Sequence, residues 1–411
     1  MLLRNRILAL CSALTLFCWP ATAQAAKPKV RAITAFVRLD RAQYRAQIAE
    51  ALVALRSAKS AFESAGYEVQ TIRISTQPFP EYIRGLQHEE ALAFFRALDQ
   101  LAQKENFDIA IGPAMLADED DARMAALLGE TIQQTTILNG SIVVASEAGV
   151  HWNAVRAAAS LIKTLSERTS RSQGNFRFAA TALLPTDTPF YPGSYHLGPG
   201  KQLAIGLESA NVVAEVFSVT QSPATARDAL IDALGEHARL VESVARAVAM
   251  STGWQFLGLD LSPAPLKDVS IGAALENFTR ARIGSPGTLT AAALITEALR
   301  AIPVKRAGYN GLMLPVLEDS RLALRWSEGA LGLDELLSYS AVCGTGLDVV
   351  PLPGDVSLLQ LGRIIGDVAT LAVKLRKPLS ARLLPVAGKK PGERTEFDDP
   401  FLVNAVLQPL N

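Results

Sequence analysis

Three side chains stand where an α/β protein would carry reactive groups. Asp260 ends an apolar run and is followed by Leu261-Ser262-Pro263-Ala264-Pro265. A carboxylate and a hydroxyl at a strand end, with two prolines fixing the exit, suit a general base or an electrostatic anchor. The same Asp260 would equally accept loop N–H groups and simply hold the turn. Cys343 lies in Ala341-Val342-Cys343-Gly344-Thr345-Gly346-Leu347-Asp348, where two glycines let the backbone turn tightly beside a thiol. A nucleophilic thiol needs an electropositive, partly exposed setting and a nearby base. His196, in Thr188-Pro189-Phe190-Tyr191-Pro192-Gly193-Ser194-Tyr195-His196, is the candidate for that base. Burial as a small hydrophobe and an intermolecular crosslink remain the other readings of Cys343.

Two further segments suit ligand binding. Gly284-Ser285-Pro286-Gly287-Thr288 opens a helical run, so backbone N–H groups near Gly287 and Thr288 would cradle an anion. An ordinary cap by Ser285 or Thr288 explains the same residues. Gly311-Leu312-Met313-Leu314-Pro315-Val316-Leu317-Glu318-Asp319 ends a strand-like run in two carboxylates, which would either meet a ligand or cap the next helix. Ser262, Glu318 and Asp348 join Gly287 and Thr288 as candidate ligand-binding residues.

Other chemistries find no support. The sequence contains no Walker-type phosphate loop, strand-linked dinucleotide fingerprint, G-x-S-x-G elbow or H-E-x-x-H. His88, His151, His196 and His237 have no metal-ligand spacing, so no metal or cofactor is expected. Nucleic acid is not expected as a partner either, since Lys389-Lys390 is the only notable basic cluster and backbone binding needs many such charges on one face.

Arg4 and Arg6 precede an apolar stretch over residues 7–19, and mostly small residues follow from 21 to 26. That pattern reads as a secretory signal peptide, cut after Ala23 or Ala25, over residues 1–25. Its apolar part is short of the roughly 20 residues that span a bilayer, so no membrane association is expected after cleavage. Removal of Arg4 and Arg6 leaves 38 basic against 40 acidic side chains, and Cys343 as the one cysteine. The expected location is the periplasm.

The elements that must position these residues alternate along the chain. Residues 30–37 form a β-rich run, and Asp40 with Gln43 reads as a capping box. Ile48, Leu52, Leu55 and Phe62 then fall on one helical face, Gly66 ends the helix, and a second strand runs over 67–74. Such a β-α-β unit implies parallel pairing. Further strands are expected at 108–111, 142–145, 177–184, 202–207, 255–260, 312–315, 347–351 and 381–386. Helices are expected at 88–104, 155–166, 225–249, 269–281, 289–301 and 358–375. The irregular segment 185–200 is long for a passive connector and reads as a functional loop.

Taken in order, the segments around Asp260, Gly284–Thr288, Leu312–Asp319, Cys343–Asp355 and Pro189-Phe190-Tyr191-Pro192 resemble the domain-of-unknown-function family 711. The resemblance runs over nearly all of residues 26–411 and implies one domain. It implies the fold of pyruvate formate-lyase and other glycyl-radical enzymes, a ten-stranded α/β barrel of parallel β-α-β units with helices outside and a loop inside. By that analogy the Cys343 loop enters the barrel. The radical chemistry does not carry over: no Arg-Val-x-Gly-Tyr-like glycine ends the chain, and Cys343 is followed by Gly344 rather than a second cysteine. The expectation is therefore an uncharacterised exported protein, a hydrolase or lyase acting on a small anionic metabolite in the barrel centre. Asp260 and His196 would do acid–base work there, and Cys343 would be the nucleophile. The alternative is a non-catalytic periplasmic protein that binds a small molecule.

Overall fold

A computed structural model of the chain describes residues 27–220 and 222–410. The signal-peptide reading falls on residues outside these. Ten strands form one mixed sheet: β1 (Lys29–Val37), β2 (Val69–Thr76), β3 (Asp108–Pro113), β4 (Leu138–Ser146), β5 (Gly149–Val150), β6 (Phe178–Ala182), β7 (Gln202–Glu208), β8 (Gln255–Asp260), β9 (Gly346–Pro353) and β10 (Leu379–Val386). Their order is β8-β7-β1-β2-β3-β4-β6-β10-β9, with the short β5 paired to β4.

Three blocks of parallel strands meet at two antiparallel seams. The five strands β1, β2, β3, β4 and β6 run parallel, as do β7 with β8 and β10 with β9. The seams are β1 against β7 and β6 against β10. The expectation of parallel β-α-β units holds within blocks and fails between them, so carboxyl ends of the strands do not all share one edge. Each block is built by helices that cover the outer face. Ile48, Leu52, Leu55 and Phe62 are buried on the helix Tyr44–Ser64, as their spacing requires. The capping box read at Asp40 and Gln43 is not formed: the Asp40 N–H donates to Gln47 Oε1 at 2.7 Å, and the helix starts at Tyr44.

Between the free edges of β8 and β9 runs the extended segment 305–316. Leu259 N–H donates to Lys305 O at 2.8 Å and Ala307 N–H to Leu259 O at 2.9 Å, while Val316 N–H donates to Asp348 O at 3.0 Å. The strand expected at 312–315 is reduced to one bridge, Pro315 with Asp348. Proline supplies no N–H to a ladder, and Gly308 and Asn310 adopt positive φ of 83° and 50°, which breaks strand geometry. Gly311 and Gly344 touch backbone to backbone here; a Cβ on Gly344 would lie 2.8 Å from the Gly311 carbonyl carbon.

The strands present small or polar residues on the face turned away from the helices. Cross-strand register aligns Ala32, Thr34 and Phe36 of β1 with Thr71, Arg73 and Ser75 of β2, and Arg73 and Ser75 with Asp108 and Ala110 of β3. Such a face leaves room for a chain segment, and 185–200 occupies it, with Thr188, Ser194 and His196 fully buried. Tyr191 Oη donates to Ile74 O, Ser75 Oγ bonds Ser194 Oγ at 2.5 Å, and His196 N–H donates to Thr76 O at 3.3 Å. The segment packed on this face is therefore 185–200. Cys343 is buried in the main apolar cluster, with Lys377 Nζ bonded to its carbonyl.

Candidate functional site

The inner face carries charges wherever an alternate strand position is occupied by Arg, Asp or Glu. Arg31 lies in β1, Arg73 in β2, Asp108 in β3, Asp348 in β9 and Arg382 in β10. Of these, Arg31, Arg73, Asp108 and Arg382, together with Glu318 and the end of β7, surround a cavity of about 220 Å³, whose lining also includes Arg177, Asp260, Ser262 and, from the C-terminal tail, Asp399 and Phe401. That is below the range of about 300–1,000 Å³ usual for drug-sized ligands, so the space suits a small molecule.

One part of the lining belongs to an ion network, in which Arg31 Nη1 and Asp348 Oδ2 are left without a hydrogen-bond partner among the described residues. Glu318 accepts from Arg31 at 2.9 Å and from Arg382 at 2.9 Å, and Arg382 Nε donates to Asp348 at 2.7 Å. Glu208 lies 3.6 Å from Arg31 and accepts a bond from Gln70. The Arg382 guanidinium also packs 5.0 Å from the ring centre of Phe176 and 5.7 Å from that of Phe190. Burial works to raise the pKa of Glu318, but the guanidiniums of Arg382 and Arg31 outweigh it and the net shift is downward. Asp348 shifts upward, because burial and the Glu318 charge exceed the help from Arg382.

A second part is open. Arg73 Nε donates to Thr71 Oγ1 at 2.8 Å and lies 3.7 Å from Asp108, with its guanidinium 4.8 Å from the ring centre of Tyr191. Among the described residues no acceptor bonds its two terminal nitrogens, and no donor bonds the Asp108 carboxylate. Burial lowers the pKa of Arg73 and raises that of Asp108, each against the pull of the other. Arg177 is pushed down to about 10 by burial. Its donors go to Ile132 O at 2.6 Å, Leu138 O at 3.2 Å and Thr135 Oγ1 at 3.3 Å, around the C-terminal end of the helix Arg123–Gln134.

Three residues read from the sequence, Asp260, Ser262 and Glu318, line this cavity, and a fourth, Asp348, lies behind Arg382. Asp260, paired in register with Gly206, accepts from Ser262 N–H at 3.0 Å, Ser262 Oγ at 2.6 Å, Tyr309 N–H at 3.0 Å and Asn310 N–H at 3.1 Å. Burial raises its pKa, and these four donors work against the rise. Gly308 permits this turn: a Cβ there would lie 2.2 Å from Asp260 Oδ2. Ser262 also accepts from Gly311 N–H at 3.2 Å and shares the cavity wall with Glu318, and Asp348 is joined to them through Arg382. Of the adjacent carboxylates at 318 and 319, Asp319 is the helix cap, accepting from Arg321 and Leu322 N–H, while Glu318 turns inward.

The remaining candidates lie elsewhere. His196 packs against Phe36 and sits level with Thr76, which pairs with Val37, whereas Gly206, the register partner of Asp260, pairs with Ala32. Five residues along β1 separate those levels, roughly 16 Å. Burial lowers the pKa of His196. Cys343, 1% exposed, lines no part of the cavity, and its carbonyl accepts from Lys377 Nζ. Gly287 caps the helix Thr288–Ala301 at φ 102°, and neither it nor Thr288 reaches the cavity. The structure thus does not bring Asp260, His196 and Cys343 together. Among the described residues no three His, Cys, Asp or Glu side chains converge as metal ligands.

Arg31, Arg73, Asp108, Arg382 and Asp399 escaped the sequence reading. A usable signal was present in three strands: a lone arginine inside Lys29–Val37, Val69–Thr76 or Leu379–Val386 must turn toward something polar when both faces of the strand are buried.

The chain is 38% identical over 361 residues to a UPF0210 protein of Pyrobaculum aerophilum, covering 84% of this chain and 79% of the relative. It is 36% identical over 344 residues to one of Pyrobaculum islandicum (80% and 76%), and 33% identical over 325 residues to one of Methanopyrus kandleri (75% and 72%). A family model described as uncharacterised ACR (DUF711) matches residues 23–398, and the chain belongs to that family.

Proposed function

We propose that the chain binds a small metabolite bearing a carboxylate or similar anion in the cavity at the inner face of the sheet. The observation that carries this reading is Arg73: a guanidinium on a side chain only 13% exposed, whose terminal nitrogens have no protein acceptor among the described residues, at the wall of a cavity. A buried cation without full pairing is costly, and an anionic ligand removes that cost. Calorimetric titration of the full chain with acetate, pyruvate and inorganic phosphate tests it. Saturable binding that vanishes in Arg73→Met is the expected result; equal binding by the variant refutes the assignment.

A hydrolase or lyase acting on that metabolite is the second reading, favoured by Asp108, a carboxylate with a raised pKa and no donor of its own beside the cavity. Closure of the sheet into a barrel belongs to the same reading, supported by segment 305–316 spanning the gap between β8 and β9. Export to the periplasm rests on Arg4, Arg6 and the apolar residues 7–19; cell fractionation that leaves the chain with the cytoplasmic fraction removes it.

A further inference from the structure

Resting on the carboxylate reading just given, the charges around the cavity narrow the ligand further. Four guanidiniums line it, those of Arg31, Arg73, Arg177 and Arg382, and four carboxylates, those of Asp108, Asp260, Glu318 and Asp399. Most are already answered within the protein. Arg31 and Arg382 are held by Glu318, Asp348 and Glu208. Asp260 is held by four donors, and Arg177 by carbonyls and a hydroxyl. What remains among the described residues is the pair of terminal nitrogens of Arg73, one nitrogen of Arg31 with only Glu208 at 3.6 Å, and two carboxylates, Asp108 with no donor and Asp399 with only the Phe401 N–H at 2.9 Å.

A ligand that is only anionic would satisfy Arg73 while placing its charge against Asp108. Like charges within a few ångströms in a low-dielectric site repel strongly. A ligand with a carboxylate and an ammonium group meets both residues. Because Arg73 Nε and Asp108 Oδ2 are only 3.7 Å apart, the two ligand charges must also be neighbours in the molecule. An amine and a carboxylate on the same carbon have that spacing. We propose that the cavity takes a small α-amino acid as its zwitterion, with Arg73 holding the carboxylate and Asp108, aided by Asp399 from the tail, holding the ammonium group.

Calorimetry on the full chain at neutral pH separates this from plain anion binding. Glycine, alanine, serine and glutamate are compared with acetate, propionate, 3-hydroxypropionate and glutarate, which lack the amine. The expected result is that the best amino acid binds at least tenfold more tightly than its amine-free counterpart. Asp108→Asn should erase that ratio by weakening the amino acid alone, and Arg73→Met should abolish both. An amine-free acid that binds as tightly as its amino acid overturns the zwitterion and leaves the carboxylate site standing. Silence from all eight compounds overturns both. The comparison on the unsubstituted chain decides the matter even if a variant fails to fold.

Discussion

Two sets of charges share the inner face of the sheet, a short-range ion network and an open pair. Around Glu318, every carboxylate faces a guanidinium: Arg31 and Arg382 at 2.9 Å each, with Asp348 behind Arg382 at 2.7 Å. Around Arg73, the one carboxylate is 3.7 Å away and the two terminal nitrogens bond no acceptor among the described residues. Glu318, Asp348 and Arg382 are almost fully buried, whereas Arg73 and Asp108 are 13% and 40% exposed, so the desolvation cost of charge falls more heavily on the first set. The difference teaches how far the fold answers its own charges: the first set is tied together by short ion pairs, with Arg31 Nη1 and Asp348 Oδ2 left over, and the second holds only one long pair among the described residues.

The largest expected effect breaks the ion network. Glu318→Ala leaves Arg31 and Arg382 without their shared acceptor, and removing one partner of a buried ion pair costs about 3–5 kcal/mol. Urea denaturation should show a correspondingly lower midpoint; a loss under about 1 kcal/mol would mean that the network is not what holds the strands. Arg73→Met should be gentler, about 1 kcal/mol by the same measurement, because the cavity lets Asp108 take up a proton or water when its partner goes. If the two variants are equally unstable, the contrast between the sets collapses.

Acidity distinguishes the sets more finely. Glu318 has a lowered pKa in the folded chain, so its contribution is present above its unfolded pKa and is lost as pH falls through the folded value. Asp108 has a raised pKa, so the folded state holds its proton longer and stability declines with rising pH, starting near the unfolded value of about 4 and levelling off above the folded value. Asp108→Asn should flatten that decline when stability is followed against pH, and an unchanged slope would show that Asp108 titrates normally. The smallest effect is expected away from both sets. Cys343, 1% exposed in the apolar cluster, should resist a thiol reagent in the native chain and react once denaturant is added. Prompt native labelling would restore it as a candidate nucleophile.

Much of the architecture was legible because helices and strands declare themselves through periodicity. Nine of the expected strands match observed ones, and the tenth failed where Pro315 and the bends at Gly308 and Asn310 interrupt pairing. Short helices at Arg123–Gln134, Ala210–Val219, Ser320–Ser327 and Leu333–Ser340 went unread, too brief or too uniformly apolar to stand out from their flanks. Strand direction was the harder matter. Alternation along the chain shows that crossovers exist, but the antiparallel seams at β1/β7 and β6/β10 depend on how distant blocks dock. The site suffered for that reason. Asp260 and Glu318 were found from local signals at segment ends, whereas Arg73 and Asp108 gain meaning only once β2 and β3 lie side by side. His196 and Asp260 were grouped on the assumption of one shared edge, which the seams remove.

The bond from Arg31 to Glu318 joins residues 287 positions apart. Closing so long a stretch is entropically expensive and comes late, since distant contacts reward the chain only after nearby ones have organised it. The wall of the cavity is therefore completed near the end of folding. Competence to bind should be the last property a refolding chain acquires and the first one that partial unfolding takes away.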